Sequence, residues 1–249
     1  MLKQVRLLWR CVRLLSVVLW GFGAVLILFP RIGHKHRIEI KRLWSRWMLS
    51  ACGLRLVVQA ANDGSCAPEK GELVAMNHVS FIDILALDSL RPVHFVAKSE
   101  IRTWPVIGTL CERTGTIFIE RRRRHAVHNI LEKMSDELRD GEVVAFFPEG
   151  TTSEGHALLP FHANLFEAAV RAPAPIRPVL LRYRQRGKPC RIPAFIGEMS
   201  LVDCAFAVLR SSAIEVHMQV LDPISSEGLS RHELATRVRA AMLACLEGS

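Results

Sequence analysis

Residues 73–90 read LVAMNHVSFIDILALDSL. Leu73–Met76 is a short apolar run, Asn77-His78 is a polar break, and Ile84–Leu90 resumes with helical spacing. Such a run fits a strand buried on both faces, and the segment after it fits a helix packed on that strand. The same texture recurs along the chain. Strands are predicted at Leu54–Gln59, Leu73–Met76, Val93–Ala97, Thr116–Ile119, Val143–Phe147, Ile176–Tyr183 and Ala213–Val220. Helices are predicted at Ile84–Leu90, Pro105–Arg113, His125–Arg139, Asn164–Arg171 and Leu201–Leu209. Ser230-Arg231-His232-Glu233 matches a capping box and opens a last helix. Asn62–Ser65 reads as a turn and Arg171–Pro178 as a proline-rich connector. Strands alternating with helices predict an α/β fold, a single domain over residues 53–249 with a mostly parallel sheet flanked by helices.

Upstream the pattern differs. Leu14–Phe29 is sixteen uncharged, mostly apolar positions. As a helix it spans about 24 Å, short of the hydrocarbon core. Including Leu7–Arg13 makes it long enough, with Arg10 and Arg13 expected to snorkel to the headgroups. Pro30-Arg31-Ile32 follows, which is no signal-peptidase site. Basic residues on both sides leave the orientation open, and a monotopic seat is as consistent as a span. Next, Ile40, Leu43, Trp44, Trp47, Met48 and Ala51 share one helical face opposite Arg37, Lys41, Arg42 and Arg46. A basic amphipathic helix with two tryptophans suits a membrane interface, and packing on the core is its plainer alternative. Residues 1–52 are thus expected to form a helical hairpin that seats the protein in a membrane.

Composition agrees. Lys and Arg number 33 against 24 Asp and Glu, a formal charge of +9. Mean hydropathy is nevertheless +0.20, too apolar for a disordered chain. The charge points to anionic lipid, nucleic acid or an acidic carrier as partner. Seven cysteines without a CxxC pair read as reduced thiols facing the cytosol.

In open α/β sheets, ligands gather beyond the carboxyl ends of the strands. The polar residues expected there are Asn77 and His78, then Lys98, then Glu120 and Arg121, then Glu149 and Gly150. His78 and Asp83 stand five apart. On a continuous helix they would face about 140° apart, so they meet only if the chain turns between them. Asp83 could then accept Nδ1–H of His78 and leave Nε2 free to take a proton from a hydroxyl. Taken alone, His78 reads as a loop histidine and Asp83 as a helix cap. Phe147-Pro148-Glu149-Gly150-Thr151 sends a buried strand through a rigid proline into a carboxylate, where Gly150 permits close approach. Arg121 ends a strand where an anionic headgroup would sit, or is merely a solvated charge.

In this order, these stretches resemble the glycerolipid acyltransferases of the 1-acyl-glycerol-3-phosphate (lysophosphatidic acid) type. The NHxSxxD motif is matched by Asn77, His78, Ser80 and Asp83, and GxIFIxR by Gly115, Ile117–Ile119 and Arg121. FPEGT is matched by Phe147–Thr151, and the apolar-x-Pro-Val element by Ile176, Pro178 and Val179. Lys98 and Trp104-Pro105 with Gly108 also fit. The resemblance implies a membrane enzyme that moves an acyl group from acyl-CoA or acyl carrier protein to a lysophospholipid hydroxyl, giving phosphatidic acid. It implies His78 as general base, Asp83 as its partner, no covalent intermediate, and no metal or organic cofactor. It implies substrate contacts from Asn77, Ser80, Lys98, Arg121, Glu149, Gly150 and Thr151, and a catalytic domain on the cytoplasmic face of the inner membrane. Two departures touch the acceptor: Thr152 stands where the family often has Arg, and Phe161-His162-Ala163-Asn164 replaces Phe-Lys-x-Gly. A lyso-ornithine lipid acyltransferase is therefore the rival within the class.

Other classes fit less. Ser80 and Ser153 lie in no Gly-x-Ser-x-Gly elbow. His34-x-His36 and His125-x2-His128 lack further metal ligands nearby. Arg121–Arg124 is a short basic run with no nucleic-acid motif beside it, so no nucleic acid is expected. A non-catalytic membrane-surface protein remains the alternative from another class; it would not need His78 and Asp83 together.

Overall fold

The computed structural model describes residues 2–62, 64–120 and 124–248. Of the segments read above, Asp63 of the turn and Arg121–Arg123 of the basic run lie outside the described residues. Helix α1 (Leu2–Gly23) widens into a π-turn, Ala24–Leu28, and closes in a 3₁₀ turn at Phe29–Arg31, where Pro30 removes a backbone donor. Helix α2 (His34–Cys52) ends at Gly53, whose φ of 70° is the left-handed conformation of a helix stop. There follow β1 (Leu54–Gln59), β2 (Leu73–Met76), α3 (Ile82–Leu90), β3 (His94–Lys98), α4 (Ile107–Arg113), β4 (Ile117–Ile119) and α5 (Arg124–Arg139). Then come β5 (Val144–Phe146), α6 (Glu167–Arg171), β6 (Ile176–Gln185), β7 (Lys188–Pro189), α7 (Leu201–Arg210), β8 (Ile214–Val220) and α8 (Arg231–Glu247).

The strands form one sheet in the order β1-β8-β6-β2-β5-β3-β4, with β7 beside β6. β6, β2, β5, β3 and β4 run parallel, as do β1 and β8 with each other. The β6–β8 and β6–β7 pairs are antiparallel. β2 lies between β6 and β5, and its four residues are buried on both faces. Val74 and Met76 point into a core shared with α2, α3 and α7, whereas Leu73 and Ala75 point into one shared with α5, α6 and α8. This two-sided burial is why β2 reads as an unbroken apolar run.

Three expectations change. α3 begins at Ile82, which puts Asp83 in its first turn. The helix expected at Asn164–Arg171 is a 3₁₀ turn, Ala163–Phe166, followed by α6. The proline-rich connector ends at Pro175, because Ile176–Pro178 already pairs with β2. The capping box at Ser230 and Glu233 forms, and Ser200 with Asp203 forms a second one on α7.

α1 and α2 make the expected hairpin. Trp44 Nε1 donates to the Val17 carbonyl at 2.9 Å, and a Cβ on Gly21 would lie 2.2 Å from that ring nitrogen, so Gly21 is what lets the helices touch there. Arg10 and Arg13 do not reach outward as expected. Arg10 donates to the carbonyls of Leu209 and Ser211 at the end of α7, and Arg13 donates to Ser50 Oγ at 2.9 Å. Unsatisfied carbonyls at a helix end attract a guanidinium, and α7 supplies them. The apolar face of α2 is divided. Trp44, Met48 and Ala51 turn inward, while Leu43 and Trp47 stay exposed. Trp47 meets exposed Trp20 of α1 edge-on at 5.0 Å. The segment 3–31 is long and apolar enough to cross a membrane.

Candidate active site

The site is built where the carboxyl ends of β6, β2 and β5 lie side by side. Asn77, the first residue past β2, continues that strand by side chain. Its Nδ2 donates to the Leu181 carbonyl at 2.9 Å and its Oδ1 accepts the Leu181 N–H at 2.7 Å. His78 is then held through its backbone. Its N–H donates to Glu149 Oε1 at 3.0 Å, and its carbonyl accepts the Ser153 N–H at 2.8 Å. The chain reverses over Val79–Phe81 into α3, which returns Asp83 beneath His78.

Nδ1 of His78 lies 2.9 Å from Asp83 Oδ2. The same oxygen accepts the N–H groups of Val79 at 2.7 Å and Ser80 at 2.8 Å. Asp83 Oδ1 accepts the Tyr183 hydroxyl at 2.6 Å. Asp83 is wholly buried, so an ionised carboxylate needs such donors, and these four supply them. Both readings of Asp83 therefore hold, since one side chain orients the histidine and ties down the turn. With a carboxylate facing Nδ1, that nitrogen carries the proton and the Nε2 lone pair is available. Among the described residues nothing bonds to Nε2, and the His78 side chain is 20% exposed. The imidazole stacks on Phe147, with ring centroids 3.7 Å apart and 14° between planes. Phe147 in turn lies nearly parallel to Phe95 at 5.8 Å.

Glu149 is turned inward. It is 3% exposed, and its second oxygen accepts the Leu159 N–H at 3.1 Å. Burial pushes its carboxyl up, while the His78 and Leu159 N–H groups pull it down. Asn77 and Ser80 are likewise shut inside, at 1% and 0% exposure. Asn77 and Glu149 hold the turn that presents His78 through their side chains, and Ser80 through its backbone N–H. Gly150, at φ 69°, closes the turn in which its N–H meets the Phe147 carbonyl at 3.0 Å. Thr151 and Lys98 are exposed, Lys98 at the end of β3, one strand beyond β5. Arg121 lies outside the described residues. The Thr152 hydroxyl bonds to the Phe195 carbonyl. Ser80 is buried and the Ser153 hydroxyl is turned to the His78 carbonyl, so neither stands as a nucleophile on the His78 ring.

The sequence reading missed two members of the site, Tyr183 and Phe147. A buried tyrosine hydroxyl requires a partner, and that was the available signal for Tyr183.

The role of Glu149 is testable. Glu149→Gln turns an amide N–H toward a backbone N–H, which loses a hydrogen bond to a charged group and costs about 1–3 kcal/mol. The expected result is a lower thermal midpoint and a lower kcat with KM for both substrates kept. A raised KM at unchanged kcat would mean that Glu149 touches substrate after all.

A family profile described as Acyltransferase matches residues 58–182. A lyso-ornithine lipid O-acyltransferase of Pseudomonas aeruginosa is 36% identical over 100% of this chain and 96% of its own length. A 1-acyl-sn-glycerol-3-phosphate acyltransferase of Neisseria meningitidis is 36% identical over 80% of this chain and 77% of its own. The crystal structure of the 1-acyl-sn-glycerophosphate (LPA) acyltransferase PlsC from Thermotoga maritima superposes with a TM-score of 0.67 at 20% identity. It covers 96% of this chain and 97% of that one, and so shares the fold. With that profile spanning its central sheet and a relative matched from end to end, the chain belongs to the acyltransferase family, beside enzymes named for lyso-ornithine lipid and 1-acyl-sn-glycerol-3-phosphate.

Proposed function

We propose that the protein is a lysolipid O-acyltransferase working at a membrane surface, with His78 as general base. The observation that carries this reading is the His78–Asp83 pair, with Nδ1 engaged at 2.9 Å and Nε2 open at the carboxyl edge of the sheet. Nε2 takes the proton of the acceptor hydroxyl as its oxygen attacks the thioester carbonyl. The C–O bond forms, the C–S bond breaks, and the departing thiolate takes the proton back from the imidazolium. The buried Asp83 carboxylate stabilises that imidazolium. The donor is acyl-CoA or acyl carrier protein, and the route needs no metal or organic cofactor. Lys98, Arg121 and Thr151 meet the acceptor or the developing oxyanion.

For the acceptor, lyso-ornithine lipid is favoured over 1-acylglycerol 3-phosphate. Where a phosphate-binding arginine is common in the family, the Thr152 hydroxyl is turned to the Phe195 carbonyl. The relative matched end to end also carries the lyso-ornithine name. The N-terminal hairpin supports monotopic seating in one leaflet of the inner membrane, on its cytoplasmic face. Arg10 ties α1 to the end of α7, Arg13 and Trp44 tie α1 to α2, and Leu8, Trp9, Val12, Leu15, Leu19 and Trp20 face outward.

The test is acyl transfer by the purified full chain to a lysolipid panel in vesicles, from acyl-CoA and from acyl carrier protein. The expected kcat/KM for lyso-ornithine lipid exceeds that for 1-acylglycerol 3-phosphate by about tenfold or more, a difference near 1.4 kcal/mol. The reverse order would assign the phosphate acceptor. No transfer to any lysolipid would leave a non-catalytic membrane-binding protein.

A further inference from the structure

Tyr183 is the only tyrosine in the chain, and it is buried beneath the active-site turn. It sits on β6, two residues past Leu181, which Asn77 clamps to the end of β2. That clamp sets the two strands so that the phenol hydroxyl reaches Asp83 Oδ1 at 2.6 Å, across 100 positions of sequence.

The bond does something the other three donors cannot. Val79 N–H, Ser80 N–H and His78 Nδ1 all meet Oδ2. They gather at one oxygen and leave the carboxylate free to pivot about it. An aspartate's terminal torsion is broad, so packing or hydrogen bonds must define it. A donor on Oδ1 fixes the plane of the group, and with it the direction in which Oδ2 faces the imidazole. We propose that Tyr183 is a positioning residue of the acyl transfer, locking the Asp83 carboxylate so that His78 keeps its reactive tautomer and orientation. The inference rests on His78 being the general base.

The surroundings suit a fixed donor. Burial first, and then the neighbouring Asp83, push the Tyr183 hydroxyl well above its usual range, so it keeps its proton at any working pH. The other titratable groups around the carboxylate are His78 on the turn, Glu149 beyond β5 and Cys204 on α7. Burial pushes the Cys204 thiol up, so it too stays neutral and offers no competing charge.

Tyr183→Phe keeps the ring and removes the donor. The expected result is a kcat lowered about tenfold, the scale of one hydrogen bond to a charged group, with KM for donor and acceptor unchanged. In an Asp83→Asn background the same substitution should cost nothing further, because Tyr183 acts through Asp83. A purely structural tyrosine would cost the same in both backgrounds, and that outcome overturns the proposal. So does an unchanged kcat in Tyr183→Phe while His78→Ala is inactive, which leaves the general-base reading standing. An active His78→Ala would instead overturn that reading. If Tyr183→Phe does not fold, the single tyrosine offers a second route, since growth on 3-fluorotyrosine labels this position alone. Its one fluorine resonance should move in Asp83→Asn, and an unmoved resonance overturns the proposal.

Discussion

His78→Ala lowers kcat by about 10²–10⁴, the span that a positioned general base contributes. The fold is expected to survive. What ties this turn to the β5 loop is the His78 backbone, through its N–H to Glu149 and its carbonyl to Ser153, and alanine keeps both bonds. The loss falls on the imidazole and on its stacking face against Phe147. Initial rates of labelled acyl transfer, with a thermal melt of the same preparation, check both halves. Full activity in the variant would sink the mechanism. Asp83→Asn behaves differently. Asparagine offers one oxygen where the carboxylate offered two, and four donors converge on that group. Rate and stability therefore fall together, and a parallel loss does not demote Asp83 to a mere cap.

At the opposite end of the same strands, Arg177→Ala costs about 3–5 kcal/mol of stability, because it strands a buried carboxylate. Arg177 at the start of β6 and Glu72 just before β2 are nearly inaccessible, at 1% and 4% of their side chains. They bond as a fork, Nε to Oε2 at 2.9 Å and Nη2 to Oε1 at 2.7 Å. Glu72 Oε2 also accepts the Glu69 N–H, and Arg177 Nη1 donates to the Leu221 carbonyl. Glu72→Ala should cost as much. Replacing both residues with apolar ones of similar volume should cost far less than either single change, since a desolvated pair is stabilised mainly relative to half of itself. Denaturant titration of the three variants decides it, and a double variant as unstable as the singles refutes the account. The folded fraction should keep its kcat, because the pair lies a strand's length from His78.

The two ends of these strands differ in how plainly the sequence announces them. β2 is legible because both faces are buried, so its apolar run is unbroken and ends at Asn77, whereas β6, read from Ile176 to Tyr183, runs on to Gln185 and carries three arginines. The meeting of His78 and Asp83 is legible as a condition, that the chain turn between them, and the structure meets it through Val79–Phe81. Glu149 misleads. It is the first polar residue past an apolar strand, yet the Gly150 turn folds its carboxylate inward onto two backbone donors. Tyr183 signals only that its hydroxyl needs a partner, and nothing local says that the partner is Asp83, 100 positions away. Arg10 misleads for the same reason: its partners at Leu209 and Ser211 are brought to it by the tertiary fold alone.

That grip of Arg10 on α7 also orders the assembly of the molecule. α1 is synthesised first, while the carbonyl it must find at Leu209 follows 199 residues later. Until then the helix has only α2 on which to lie, and its outward face is uncovered. Contacts so distant in sequence close slowly, and an apolar helix left waiting in water is an aggregation hazard. A lipid leaflet that took the outward face of α1 at once would remove the hazard. On the proposed seating, the sheet would be laid down against a helix already moored.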